Sequence, residues 1–228
     1  MKQRRLYSMK LSAETITILK NFSAINQSII FKPGNVIKTI SPQKTVMAAA
    51  TVTDEFPVEA GIYNLGRFLA TIGLHTAPEL DFSDRSVTVT EGGSSSFVSY
   101  ADSSMIIAPP EKEVKLPGID VSVNVTADHF KKVLDASSVL GLPEIAFVGE
   151  DGICYLKAID SANPSADSHK IRVGETDDTF TLIIKTENLN ILPGDYTVEL
   201  SSKGISKFTG KNVVYFIAIE SKSTYKKG

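Results

Sequence analysis

The chain has one cysteine, three histidines and no apolar run approaching the ~20 residues that span a bilayer. Cys154 alone excludes an internal disulfide and any four-cysteine metal site. It lies in the apolar run Gly-Ile-Cys-Tyr-Leu, the setting of a small core residue. His75, His129 and His169 are scattered and share no metal-ligand spacing. Neither sign of charge is in excess: 24 Lys and Arg stand against 26 Asp and Glu, a formal net charge of −2. A nucleic-acid partner therefore requires the basic residues to gather on one surface. The start, Met-Lys-Gln-Arg-Arg-Leu-Tyr-Ser, is basic but lacks the apolar stretch of a signal peptide, so a cytosolic protein is expected. In that compartment the Asn-x-Ser/Thr triplets at Asn21, Asn26 and Asn124 carry no meaning. Met9-Lys10-Leu11-Ser12 reads as an alternative start, with residues 1–8 a loose basic extension.

Catalytic motifs are also missing. The chain has no phosphate loop of the GxxxxGK[ST] type, no GxGxxG after a strand and no HExxH. Ser41-Pro-Gln-Lys44 fits the SxxK acylation pair, but that motif needs a helix and Pro42 argues for a turn. Asp177-Asp178 reads as a charged turn. No catalytic residue, metal or cofactor is expected.

What is present is a repeated plan. Ser12 is a good N-cap, Glu14 sits in the first turn, and Thr15, Ile18, Leu19, Phe22 and Ile25 recur at helical spacing. Strands follow at 28–31, 36–40, 45–52 and 58–63, with turns at Pro33-Gly34-Asn35 and Ser41-Pro42. Asn64 caps a second short helix, with Leu65, Phe68, Leu69 and Ile72 on one face and Arg67, Thr71 and His75 on the other. Further strands are expected at 79–82, 86–91, 95–100 and about 103–107. Residues 108–118 hold three prolines, a glycine and four charges and read as a connector. Beyond it, strand 121–125 leads to a helix capped by Thr126 that buries Phe130, Val133, Leu134 and Ser137. Strands 144–149, 153–159, 169–173 and 179–184 follow. Thr186 then caps a short helix through Leu192, and strands 196–201, 205–208 and 213–220 complete the half. The fold class is α+β: two similar domains, 1–107 and 119–228, each with antiparallel sheets and two helices that lie together on one side. A chain of 228 residues accommodates two such domains of roughly 110 residues each.

The polar helix faces carry Lys20, Arg67, Lys131 and Lys132, a pattern that follows phosphates without reading bases. Asp128 and Asp135 weaken it on the third helix.

Several short motifs, in order, resemble the sliding clamps of T-even-type bacteriophages. They are Met9-Lys-Leu-Ser12, Leu19-Lys-Asn-Phe22 with Ile25-Asn26, Tyr63-Asn-Leu65 with Phe68-Leu69, Leu192-Pro-Gly-Asp-Tyr196 and Glu220-Ser-Lys-Ser-Thr224. The resemblance runs over essentially the whole chain from Met9. It implies a DNA-clamp fold in a homotrimer whose six domains form a pseudo-sixfold ring around duplex DNA, bound without regard to sequence. It implies a DNA polymerase tethered for processive synthesis, an ATP-driven clamp loader, and activation of late viral transcription through RNA polymerase factors. The place of action would be the cytoplasm of the infected bacterial host.

Lys10 and Lys20 match basic pore positions, and with Arg67, Lys131 and Lys132 they make the expected DNA-binding set. The family carries two arginines where this chain has Asp135 and Ser138, its own positive charge lying one to two turns earlier. The resemblance also places a subunit interface at Ser103, Ile106 and Ile107 of one copy against His169 and Ile171 of the next. An apolar pocket for partner peptides is expected at Met105, Ile107 and Phe216. The alternative is a viral structural protein of capsid or tail with two β-rich domains.

Overall fold

A computed structural model describes residues 7–228, and the chain divides into two compact units, up to Glu111 and from Lys112. The division falls within residues 108–118, which carry neither helix nor strand.

The first unit opens with β1 (Tyr7–Met9) and α1 (Ala13–Ile25). The Ser12 hydroxyl accepts the Thr15 N–H, as an N-cap does, and donates to Asp54, whose carboxylate also accepts the Ser12 N–H at 2.9 Å. The helix buries Thr15, Ile18, Leu19 and Phe22. There follow β2 (Ile29–Phe31), β3 (Gly34–Ile40), β4 (Val46–Phe56), β5 (Ala60–Ile62) and α2 (Leu65–Ile72). Then come β6 (Glu79–Phe82), β7 (Ser86–Glu91) and β8 (Ser94–Ser99). One antiparallel sheet runs β1-β6-β7-β8, while β2 pairs with β5 and β3 with β4. The core is aromatic: Phe31 stacks on Phe56 with centroids 4.2 Å apart, and Phe68 and Phe82 pack around them.

The second unit comprises β9 (Val121–Val125), α3 (Ala127–Leu140), β10 (Glu144–Glu150), β11 (Ile153–Ile159), β12 (His169–Glu175) and β13 (Thr179–Lys185). It continues with β14 (Tyr196–Ser201), β15 (Ile205–Thr209), β16 (Val213–Ala218) and β17 (Thr224–Lys226). One sheet is ordered β12-β11-β10-β13-β17, and β9, β14, β15 and β16 form an antiparallel run in the order β9-β14-β15-β16. α3 is capped by Thr126 and ends on Gly141 at φ 65°, where a left-handed residue closes the helix. It packs on β10, β11 and β12 and buries Phe130, Val133 and Ser137. Phe130, Tyr196, Phe208 and Tyr215 form an aromatic cluster, edge-on except for the tilted Phe130–Phe208 pair. Its polar ends meet at Leu192, where the Tyr196 hydroxyl donates to the carbonyl at 2.6 Å and the Tyr215 oxygen accepts the N–H.

Three expectations fail. No α-helix follows Thr186; a single 3-10 turn, Thr186–Asn188, stands there, so the second unit has one α-helix where two were expected. The Thr186 hydroxyl donates to the Pro143 carbonyl and caps nothing. Residues 103–107 form no strand: Asp102 accepts the Ser104 N–H and starts a 3-10 turn, Ser103–Met105. The N-terminal extension is not loose throughout, because Tyr7–Met9 pairs with Leu80–Phe82. Residues 1–6 lie outside the described residues.

Candidate nucleic-acid interface

The buried stripes fix which helix residues face outward. Burying Ile18, Leu19 and Phe22 leaves Lys20 exposed on α1 between Thr17 and Ala24. Burying Leu65, Phe68 and Ile72 leaves Arg67 exposed on α2, near the helix start that the Asn64 side chain caps through the Arg67 N–H at 2.8 Å. Neither cation has an acidic partner within 4.0 Å among the described residues. Lys10, ahead of α1, lies 3.7 Å from Glu79, a loose and exposed pair.

α3 is built differently. Lys131 and Lys132 are exposed as expected, but Lys131 bonds Asp135 at 2.5 Å and Lys132 bonds Asp128 at 2.7 Å. The Asp135 hydrogen bond holds the Lys131 ammonium above its ordinary value, and the Lys132 hydrogen bond holds the Asp128 carboxyl below its own. Four-residue spacing places each pair on adjacent turns of one face, a signal present in the sequence. His75, expected beside Arg67 on the polar face of α2, turns inward: its side chain is 4% exposed, with Nδ1 3.7 Å from Glu91. Glu91 itself accepts the N–H groups of Thr76 and Ala77.

The expected interface residues separate. Ile106 is 7% exposed and packs on Gly61, where an added Cβ would lie 3.1 Å from the Ile106 side chain. It is a residue of its own unit's core, and its substitution reports on that unit's stability. Ser103, in the 3-10 turn, and Ile107, just beyond it, are both exposed. His169 and Ile171 lie on β12, which ends its sheet with no strand on its outer side among the described residues. In the first unit β8 ends its sheet in the same way, whereas the 103–107 segment expected as an edge strand forms no strand. The Tyr100 N–H bonds the Arg85 carbonyl, and Val98 registers with Val87 and Ser96 with Val89. Alternation along an antiparallel pair then turns the backbone N–H and C=O of Ser95, Phe97 and Ser99 outward. Phe97 is also 68% exposed.

Met105 and Ile107 come together at a hollow of about 680 Å³ shared with Ile25, Asn26, Pro42 and Tyr63. The Asn26 amide supports it, donating to the carbonyls of Ile40 at 2.8 Å and Ile107 at 3.4 Å. Phe216 belongs to the second unit, half-buried on β16. Ser41 is a turn former: its hydroxyl accepts the N–H groups of Thr45 and Val46.

Two family models match the chain, one in each unit. Residues 12–108 match the model described as DNA polymerase processivity factor, and residues 122–221 match gp45 sliding clamp, C terminal. The sliding clamp of Vibrio phage KVP40 is 37% identical over 220 residues, covering 93% of this chain and 99% of the relative. That of Enterobacteria phage T4 is 30% identical over 227 residues, covering 95% and 99%. Among solved structures, PCNA from Thermococcus kodakaraensis shares the fold with a TM-score of 0.68 at 13% identity, over 93% of this chain and 99% of its own. The chain belongs to the sliding-clamp family of T4-like phages.

Proposed function

We propose that three copies close into a ring around duplex DNA and hold a polymerase there for processive synthesis. The observation that carries this reading is the pair of family matches, processivity factor on the first unit and sliding clamp on the second. Two of the open sheet edges support the assembly: β8 of one copy pairs with β12 of the next, and three such contacts close the ring. This moves the interface from Ser103–Ile107 to the strand just before it and keeps His169 and Ile171. The exposed cations Lys10, Lys20, Arg67, Lys131 and Lys132 lie on the faces turned to the duplex. Contacts that permit sliding are few, long and water-mediated, which suits a chain of net charge −2.

The hollow at Met105 and Ile107 receives apolar anchors from polymerase and clamp loader, with the affinity of a small apolar contact after ordering costs, hence exchangeable. An ATP-driven loader opens the ring, the loaded ring activates late viral transcription through RNA polymerase factors, and all of this takes place in the cytoplasm of the infected bacterium. The reading assigns the chain no catalysis. A capsid or tail protein is the weaker reading, because the processivity-factor match lies on the first unit.

The test combines sedimentation equilibrium with synthesis on primed circular DNA. A mass near three chains and longer products on addition of the protein are expected. A monomer or dimer at micromolar concentration, with product length unchanged, refutes the proposal.

A further inference from the structure

On the reading that the chain rings duplex DNA, we infer that the duplex is held by the first unit, through Lys20 and Arg67, while the lysines of α3 are silenced by aspartates on their own helix face.

The outward stripe of α3 carries Asp128, Lys131, Lys132 and Asp135, all exposed. Two positive and two negative charges interleave there, and each lysine bonds an aspartate one turn away, at 2.5 and 2.7 Å. The stripe sums to zero. The field of a pair separated by so little falls with distance much faster than that of a lone charge. At the water-mediated distances that sliding requires, and with screening over ~8 Å, phosphates meet little net attraction there. A lysine that swung across to a phosphate would leave its aspartate uncompensated beside the same anion.

α1 and α2 lack this compensation. The eight residues of α2 include no acid, and Arg67 stands among Gly66, Ala70 and Thr71. In α1 the one acid, Glu14, precedes Lys20 by more than a helical turn. Lys20 and Arg67 have no acidic partner within 4.0 Å among the described residues. The electrostatic contact with DNA therefore repeats three times around the ring, although the fold repeats six times.

The test uses the full-length protein and a fluorescently labelled linear duplex of ~40 base pairs, which threads a ring without a loader. Anisotropy is measured across a salt series, with sedimentation to confirm that each variant assembles. Lys20→Gln/Arg67→Gln should weaken binding at least ~10-fold and flatten the salt slope by ~0.9 for every phosphate no longer neutralised. Asp128→Asn/Asp135→Asn frees the α3 lysines and should tighten binding at least ~3-fold with a steeper slope. The charge-free helix, Asp128→Asn/Lys131→Gln/Lys132→Gln/Asp135→Asn, should weaken binding far less than Lys20→Gln/Arg67→Gln does. Equal weakening in those two variants, or no gain on freeing the α3 lysines, overturns this inference and leaves the ring standing. A wild-type protein that fails to bind the duplex overturns the ring reading and this inference with it.

Discussion

Ser99→Pro tests the β8 edge directly. The Ser99 N–H points away from β7, so proline there removes an outward donor and leaves the β7–β8 ladder whole. The residue before it, Val98, is already extended, as a residue preceding proline prefers. Losing one inter-strand hydrogen bond costs about 1 kcal/mol net at each subunit junction. Three junctions make about 3 kcal/mol per ring, so the trimer dissociation constant rises roughly 150-fold. The assembly midpoint scales as the square root of that constant, giving a shift of about 12-fold in concentration. Sedimentation equilibrium over a dilution series reads the shift, and circular dichroism should show an unchanged fold. Val98→Pro is the opposite control. Its N–H faces β7, so the unit itself should lose stability and melt earlier. Assembly of Ser99→Pro at the wild-type midpoint refutes the assignment of β8 to the interface.

Three further outcomes are expected. Glu144, its side chain 7% exposed, bonds Lys222 and accepts the Ser161 N–H at 3.0 Å. Burial pushes its carboxyl up, but the Lys222 and Ser161 hydrogen bonds outweigh it and hold the group below the ordinary glutamate range. A lowered folded-state value gives stability present above the unfolded value of ~4.3 and lost as pH falls through the folded one. Glu144→Gln should therefore cost roughly 1–2 kcal/mol at pH 7, about 2–8 °C in Tm, and the gap to wild type should narrow as pH falls below the unfolded value of ~4.3. Gly149→Ala places a Cβ 2.5 Å from both the Asp178 carbonyl and the Phe180 ring, and should lower the urea midpoint by an amount worth about 1–3 kcal/mol. Cys154 is 2% exposed, and burial pushes its thiol up to about 11, so an aromatic disulfide reagent at pH 8 should modify it only on unfolding.

The helices that carry the site were legible because their caps are local chemistry. Ser12, Asn64 and Thr126 each accept an N–H three residues on, and the apolar spacing behind them fixes the outward face. Thr186 looks the same in sequence, but its hydroxyl is taken by a carbonyl 43 residues away, a competition that no local reading reveals. The edge strand lies a few residues before its expected place for a related reason. β8 itself was expected, at 95–100, but the apolar Met105-Ile106-Ile107 reads as one strand more beyond it, whereas Ile106 is apolar because it fills the space over Gly61. β1 and β17 are three residues each and gain their strand character from partners far along the chain. Lys10 and Glu79 are likewise joined only by the fold, while the Lys–Asp pairs of α3 stand four residues apart and were readable outright.

Those two short strands limit how many neighbours a chain can take. β1 closes one side of the sheet that ends in β8, and β17 closes one side of the sheet that ends in β12. A three-residue strand offers too little ladder to recruit another molecule. Each of these two sheets thus keeps one long edge, and the two edges belong to different units, so through this pair of sheets a chain offers two unlike ends. Objects with two unlike ends join head to tail, and they can close but cannot branch. On the reading proposed above, the short strands β1 and β17 leave this pair of sheets fit to close a ring. Removing β1 or β17 would open a third edge on these two sheets and, on that reading, favour branching over closure.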